Sequence, residues 1–390
     1  MATVGSEGKV YFDNNATTKV DGAVLEAMIP YFSEAYGNAS AVYGSGVAAR
    51  GAVEAARGKV AAAVGANPDE IAFTGCGTES DNWAIMGAAR AGRGKGRHIV
   101  TTAIEHHAVL DTFKALEKEG YEATYLPVDR YGLVDPDDVR KAIRGDTTLV
   151  SVMYANNEIG TVEPIGEIGE VCARKGVTFH TDAVQAVGTL AIDLSKLPVD
   201  MLSASAHKLH GPKGVGFLYI RKGTKIDKFM HGGGQERRRR AGTENVPGIV
   251  GFGKALELAA AEIPRKGEAM RAICARIIEG VMGSVPDVIL NGHPERRLPN
   301  NVNLAFRRIE GESLLLLLDM AGIEASSGSA CTSGSLDPSH VLLAVGLPHE
   351  VAHGSLRVSL SKYSTMGEAE ALLKVLPGIV ARLRAMSPLP

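Results

Sequence analysis

Ser203-Ala-Ser-Ala-His-Lys-Leu-His-Gly-Pro-Lys-Gly-Val-Gly216 sets one lysine, Lys208, between His207 and His210, with Gly211, Gly214 and Gly216 following. The apolar run at 215–220 then reads as a buried strand. An ordinary lysine is charged at neutral pH. Burial and nearby positive charge lower its pKa, and the neutral amine attacks an aldehyde to form a Schiff base. The Ser205 hydroxyl and the His207 imidazole stand close enough in sequence to hold a phosphate. These residues suggest pyridoxal phosphate (PLP). A turn with a solvated lysine is the other reading they allow.

Moving outward, strands are expected at 71–74, 98–102, 123–127, 149–154, 177–181 and 201–204, besides 215–220. Helical spacing fills most gaps, at 46–64, 108–119, 136–143 and 165–175, and Asp21 is positioned to cap a helix running to about residue 36. Such alternation implies an α/β fold whose mostly parallel central sheet is covered on both faces. Ligands in such sheets gather at the carboxyl ends of strands. Near Glu262 the pattern changes. Helical stretches at 248–261 and 265–282 flank Ile263-Pro264, and a shorter α+β pattern follows. The expected division is a large domain at 17–262 and a smaller one made of 1–16 and 263–390.

The bulk numbers narrow the function classes. A chain of 390 residues with a net charge of -2 carries no global field toward nucleic acid or anionic membrane. The basic run Arg237-Arg-Arg-Arg240 has no interleaved aromatics and reads as a solvated turn. No leader pattern and no apolar run of ~20 residues is visible, so a cytoplasmic protein is expected. The four cysteines form no C-x-x-C pair, which argues against a zinc ribbon or a disulfide framework. Cys172 and Cys274 sit in amphipathic patterns and read as small buried hydrophobes. Cys331 differs. Ser326-Ser-Gly-Ser-Ala-Cys-Thr-Ser-Gly-Ser335 surrounds it with small polar residues, which reads as a loop with an accessible, reactive thiol.

Other clusters follow the expected strands. Gly75-Cys-Gly-Thr-Glu-Ser80 turns from strand into helix, where glycine backbone and a helix N-terminus suit a phosphate. His180-Thr-Asp-Ala-Val-Gln185 places Asp182 at a strand end. A pyridinium nitrogen would neutralise that carboxylate, and Gln185 could reach the ring's phenolic oxygen. A capping aspartate, or a metal pair with His180, are the alternatives. Of Glu105-His-His107, one histidine is expected to be structural and the other to stack on a cofactor or move a proton. Asn156-Asn157 follows the next strand. Arg357 could fork onto a carboxylate or make a surface ion pair.

Taken together, these segments resemble the NifS/IscS cysteine desulfurases, PLP enzymes of fold type I. The resemblance also covers Tyr11-Phe-Asp-Asn-Asn-Ala-Thr-Thr18, Asn156-Asn-Glu-Ile-Gly-Thr161, Arg240-Ala-Gly-Thr-Glu-Asn245 and Leu356-Arg-Val-Ser-Leu-Ser361. It implies that Lys208 carries the cofactor, Asp182 pairs with the ring nitrogen, Gln185 meets the phenolic oxygen and His106 stacks on the ring. Gly77, Thr78, Ser205 and His207 would hold the phosphate. Thr243 would reach the phosphate from a second subunit, which implies a homodimer. Asn157 and Arg357 would bind the substrate carboxylate. The implied reaction converts L-cysteine to L-alanine and leaves sulfur on Cys331 as a persulfide, with an iron–sulfur scaffold protein as acceptor. No metal of its own is expected, although Cys331 could contact an iron–sulfur cluster shared with that partner. The Gly242-Thr-Glu-Asn-Val246 wording and the ending near Ser387-Pro-Leu389 lean toward the nitrogenase-associated NifS branch. The competing readings are a PLP-dependent selenocysteine lyase or aminotransferase, a metal-dependent hydrolase using His106, His107, His180 and Asp182, and a silent sulfur carrier.

Overall fold

Neighbouring residues within one strand point to opposite faces of a sheet, so Ile99-Val100, Leu149-Val150 and Met201-Leu202 demand cover on both sides. The computed structural model, which describes residues 8–327 and 338–387, supplies it. Its first strand, β1, is Val10–Tyr11. The next seven are β2 (Ile71–Thr74), β3 (His98–Thr102), β4 (Glu122–Leu126), β5 (Thr147–Ser151), β6 (Thr178–Asp182), β7 (Met201–Ser205) and β8 (Gly216–Ile220). Strands β2 to β8 form one sheet in the order β2-β8-β7-β6-β5-β3-β4. Strand β8 runs antiparallel to both neighbours, and the other pairings are parallel. Ile99, Leu149 and Met201 pack with Trp83, Val109 and Phe113 on one face. Val100, Val150 and Leu202 pack with Val60, Ile168 and Phe252 on the other.

A second core lies beyond this sheet. Strands β9 (Val288–Asn291), β10 (Asn301–Phe306), β11 (Ile323–Glu324) and β12 (Ser355–Ser359) follow in the chain, and β12-β10-β9 form an antiparallel sheet. Leu304, Phe306 and Leu356 pack there with Ile277, Leu314 and Leu372. The start of the chain joins this core. Strand β1 pairs with β11, Phe12 is fully buried, and the Ser359 N–H donates to Phe12 O at 2.7 Å.

Two local expectations are corrected. Asp21 caps its helix as expected, accepting from Ala23 N–H at 2.9 Å. That helix ends at Met28, however, and a separate turn starts at Pro30, which has no N–H to continue the ladder. Conversely, Pro264 does not divide the later helix. Val246–Ser284 is one helix of 39 residues with Pro264 inside it. An internal proline costs about 3 kcal/mol. Burial on both sides offsets that cost: Phe252 and Leu256 sit in the first core, and Met270, Ile273 and Ile277 in the second.

Glu163 is a buried carboxyl that supports a turn. Its Oε2 accepts from Val134 N–H at 2.9 Å, while Oε1 has no partner. Burial pushes its pKa up to about 8 from an ordinary 4.5. The folded chain therefore keeps a proton that the unfolded chain gives up. The stability this group contributes is full below the ordinary value and is lost as pH rises through about 8. Glu163→Gln keeps the acceptor and cannot ionise. Urea unfolding should find it stabilised relative to wild type by about 1–3 kcal/mol more at about pH 8 than at about pH 5. An identical difference at both values would refute this.

Candidate active site

The carboxyl ends of β2, β3, β5, β6 and β7 open onto one cavity of about 280 Å³. Gly77, Thr78, His106, Asn157, Asp182, Gln185, Ser205, His207, Lys208 and Arg357 all line it. Gathering at this end of the sheet is expected for a parallel fold. Of these ten, Arg357 comes from β12, and Asn15 and Ala16, from the chain start, line the cavity as well.

Lys208 ends a short 3₁₀ turn after β7. Its Nζ donates to Asn15 O at 2.6 Å and to Ala16 O at 2.8 Å. Gln185 Nε2 donates to the same Asn15 carbonyl at 3.0 Å, and Asn15 Nδ2 donates to Asn157 O at 3.0 Å. Asn15 thus ties three site residues together, a role the sequence reading did not assign. The polar turn Asp13–Thr18 directly after buried Phe12 was the available signal.

Asp182 is buried, and its Oδ1 accepts from Val184 N–H at 2.9 Å. Burial pushes its pKa up to about 6, against the pull of that hydrogen bond and of the Lys208 charge. His106 caps the helix His107–Lys118, taking the Ala108 N–H on Nδ1 at 3.1 Å. Burial, and then the nearby Lys208 charge, lower its pKa to about 4, so the ring is neutral at neutral pH. His107 turns away and packs against His340, with ring centroids 4.9 Å apart. Of the two histidines, His106 lines the cavity and His107 is not among its lining residues.

Gly77, which also lines the cavity, begins the helix Gly77–Gly92. A Cβ there would meet Val184 Cγ2 at 2.7 Å, so only glycine leaves the backbone N–H groups open to a ligand. Ser205 Oγ is buried without a partner. His207 Nδ1 lies 3.1 Å from Thr17 Oγ1, and burial lowers its pKa to about 4. Cys76 also lines the cavity, with Sγ accepting from Glu79 N–H at 3.4 Å. It was not foreseen as a site residue.

Arg357 is 2 % exposed, so it makes no surface ion pair. Its Nη2 donates to Asp13 Oδ1 at 2.6 Å and its Nη1 to Asn157 O at 3.3 Å. Its Nε is buried without a partner. An arginine held this way can present its fork to a carboxylate.

One expected site residue, Thr243, is not among the residues that line this cavity. Cys331 lies outside the described residues. Thr243 is exposed, beyond the basic run. In that run Glu236, Arg237 and Arg238 are left-handed, with φ of 45°, 56° and 65°, a costly conformation for non-glycine residues. Buried Glu236 holds it. Its carboxylate accepts from both Arg57 Nη nitrogens, at 2.8 and 2.9 Å, and from Phe73 N–H at 2.9 Å. Arg240 forks onto Glu79 at 2.7 and 3.0 Å. Arg238 and Arg239 are exposed, but the solvated-turn reading fails for Arg240, which is ion-paired and half-buried.

The sequence matches the family described as Aminotransferase class-V over residues 10–372. It is 58% identical over 387 residues to "Cysteine desulfurase IscS" of Methanosarcina thermophila, covering 99% of this chain and 96% of that relative. A relative of the same name from Clostridium botulinum (strain Hall) is 55% identical over 383 residues, covering 98% and 96%. The chain belongs to the NifS/IscS family. A solved structure titled "NIFS-LIKE PROTEIN" superposes with a TM-score of 0.91 at 43% identity, covering 96% of this chain and all of that one. NifS/IscS proteins are fold type I enzymes that depend on PLP.

The cavity fits that cofactor on its own evidence. An orphaned Ser205 hydroxyl and the open backbone at Gly77 face a helix N-terminus, as a phosphate requires. Asp182 is a buried carboxylate on the same cavity, suited to a protonated ring nitrogen. The metal reading has no comparable support. His180 is taken up by Ser151 and Ser203, each at 2.9 Å. Among the described residues no group of three or more His, Cys, Asp or Glu could hold a metal ion. Cys172 and Cys274 are buried, as expected.

Proposed function

We propose that this protein is a PLP-dependent cysteine desulfurase that converts L-cysteine to L-alanine and passes the sulfur onward for iron–sulfur cluster assembly. The observation that carries this reading is the convergence of Lys208, Asp182 and Arg357 on one cavity. The 58% identity with a desulfurase gives the chemistry its substrate. When bound, PLP supplies an electron sink for the substrate's α-carbon. Asp182 holds a proton on the ring nitrogen. His106 covers the ring as a neutral imidazole. Gly77, Thr78, Ser205 and His207 grip the phosphate, and Gln185 meets the phenolic oxygen. Arg357 and Asn157 fix the substrate carboxylate, with Asp13 steadying the guanidinium. Lys208 takes the α-proton and returns a proton during turnover.

Cys331 completes the reaction. Its thiolate attacks the substrate sulfur. The S–S bond forms as the Cβ–S bond breaks, the electron pair passes to the carbon skeleton, and a proton completes the methyl group of alanine. L-cysteine and one enzyme thiol thus become L-alanine and one enzyme persulfide. The test is direct: with L-cysteine and a thiol reductant, alanine and sulfide should appear in equal amounts. Pyruvate, or deamination without sulfide, would overturn the reading in favour of a lyase or aminotransferase.

A homodimer belongs to the same proposal. Leu25, Ile29, Phe32, Tyr36, Val42 and Tyr43 are each at least half exposed, a large apolar face for one stretch of chain. Exposed Thr243 then has a partner cavity to reach. Phe32→Asp should shift sedimentation from dimer to monomer and lower cofactor affinity. A monomeric wild type would remove this part. We further propose that 17–262 acts as the cofactor domain and that 1–16 with 263–390 acts as a smaller domain. Two of the hydrophobic cores support that division, while Ile104, Met153 and Ile159 pack with Val341 and Leu342 across it. No helix among the described residues is long and apolar enough to cross a membrane, and the proposed site of action is the cytoplasm. An iron–sulfur scaffold is the proposed sulfur acceptor. The lean toward nitrogenase service rests on sequence wording alone, since the two sequence relatives reported above carry the IscS name.

A further inference from the structure

The chemistry above leaves the buried acid Asp81 unused. Asp81, on the helix Gly77–Gly92, is 1 % exposed and lines the same cavity as Asp182. Its Oδ1 lies 3.7 Å from His180 Nε2 and has no hydrogen-bond partner. His180 and Asp182 are two residues apart on β6, so they share one face of the sheet. Asp81 meets that face from the helix packed over it. The groups around Asp81 are Asp182 and His180 from β6, Ser203 from β7, Glu105 from the turn after β3, and Cys76 at its own helix start. None of these is a cation. Both His180 nitrogens are engaged with serine hydroxyls, and burial lowers its pKa to about 3. Lys208 lines the same cavity, and its charge bears on Asp182. Two buried carboxyls on one cavity wall cannot both ionise against so little positive charge. Burial, and then the charge of Asp182, drive the Asp81 carboxyl well above its usual range.

We propose that Asp81 is a positioning residue, a neutral acid that keeps its proton and so confines the negative charge of this wall to Asp182. The inference rests on Asp182 being the partner of the PLP ring nitrogen. A charged Asp81 would offer the ring a second, misplaced counter-ion. A neutral one leaves Asp182 as the single anion.

Infrared difference spectra of wild-type and Asp81→Asn holoenzymes at neutral pH, in H₂O and D₂O, test this. Wild type should show one carboxylic-acid C=O band, shifting on deuteration, that the variant lacks, with carboxylate bands unchanged. Loss of a carboxylate band with every acid band retained would overturn the proposal. If the variant does not fold, wild type labelled with [4-¹³C]aspartate decides. At least one aspartyl carboxyl should keep its protonated shift through neutral pH, and finding none overturns the proposal. The PLP visible band is read on the same samples. Its absence from wild type would count against the cofactor reading alone, while the infrared result still decides the state of Asp81.

Discussion

Lys208→Ala protein should turn over no L-cysteine. The expected loss is at least about 10⁴-fold, because one side chain supplies both the covalent hold on the cofactor and the base at the α-carbon. Wild type should be yellow, and borohydride should fix the cofactor to Lys208 in a form that survives denaturation. The variant should yield no such adduct. Its fold should be little changed, since the hydrogen bonds from Lys208 to the Asn15 and Ala16 carbonyls lie at the edge of the cavity. Those carbonyls can turn to water. A Lys208→Ala enzyme with measurable alanine release above that ceiling would remove Lys208 from its role.

Arg357→Ala should lose about 10²-fold in kcat/KM for L-cysteine, about 3 kcal/mol, most of it in KM. The guanidinium is buried, steadied by Asp13 and the Asn157 carbonyl, and has an orphaned Nε. That arrangement costs stability unless an anion completes it. Cofactor binding should stay near normal, because no phosphate-end group depends on Arg357. Arg357→Lys should recover only part of the loss, since an ammonium cannot fork. An unchanged KM in the alanine variant would show that the carboxylate binds elsewhere.

The site was legible where chemistry follows directly on a strand. Thr78, His106, Asp182 and Lys208 each lie within a few residues of a strand end, and the parallel topology brings those ends together. The strands themselves were legible because paired apolar neighbours such as Ile99 and Val100 required a doubly covered sheet. What escaped depends on distance along the chain. Asn15 reaches Lys208 across 193 positions, and no local pattern announces such a contact. Asp81 was hidden by its place inside an amphipathic helix, where an aspartate ordinarily faces water. Pro264 misled because its local penalty is offset by two cores that local sequence does not reveal. Strand β9 is short and half-buried, which leaves little apolar signal.

The most direct test is the fate of sulfur at Cys331. After one turnover with L-cysteine and no reductant, alkylation and peptide mass analysis should find one extra sulfur on Cys331, with one alanine released per active site. Cys331→Ala should keep the yellow colour, still change its spectrum on adding L-cysteine, form no persulfide and release little alanine. Near-normal alanine and sulfide release by Cys331→Ala would contradict the proposed mechanism.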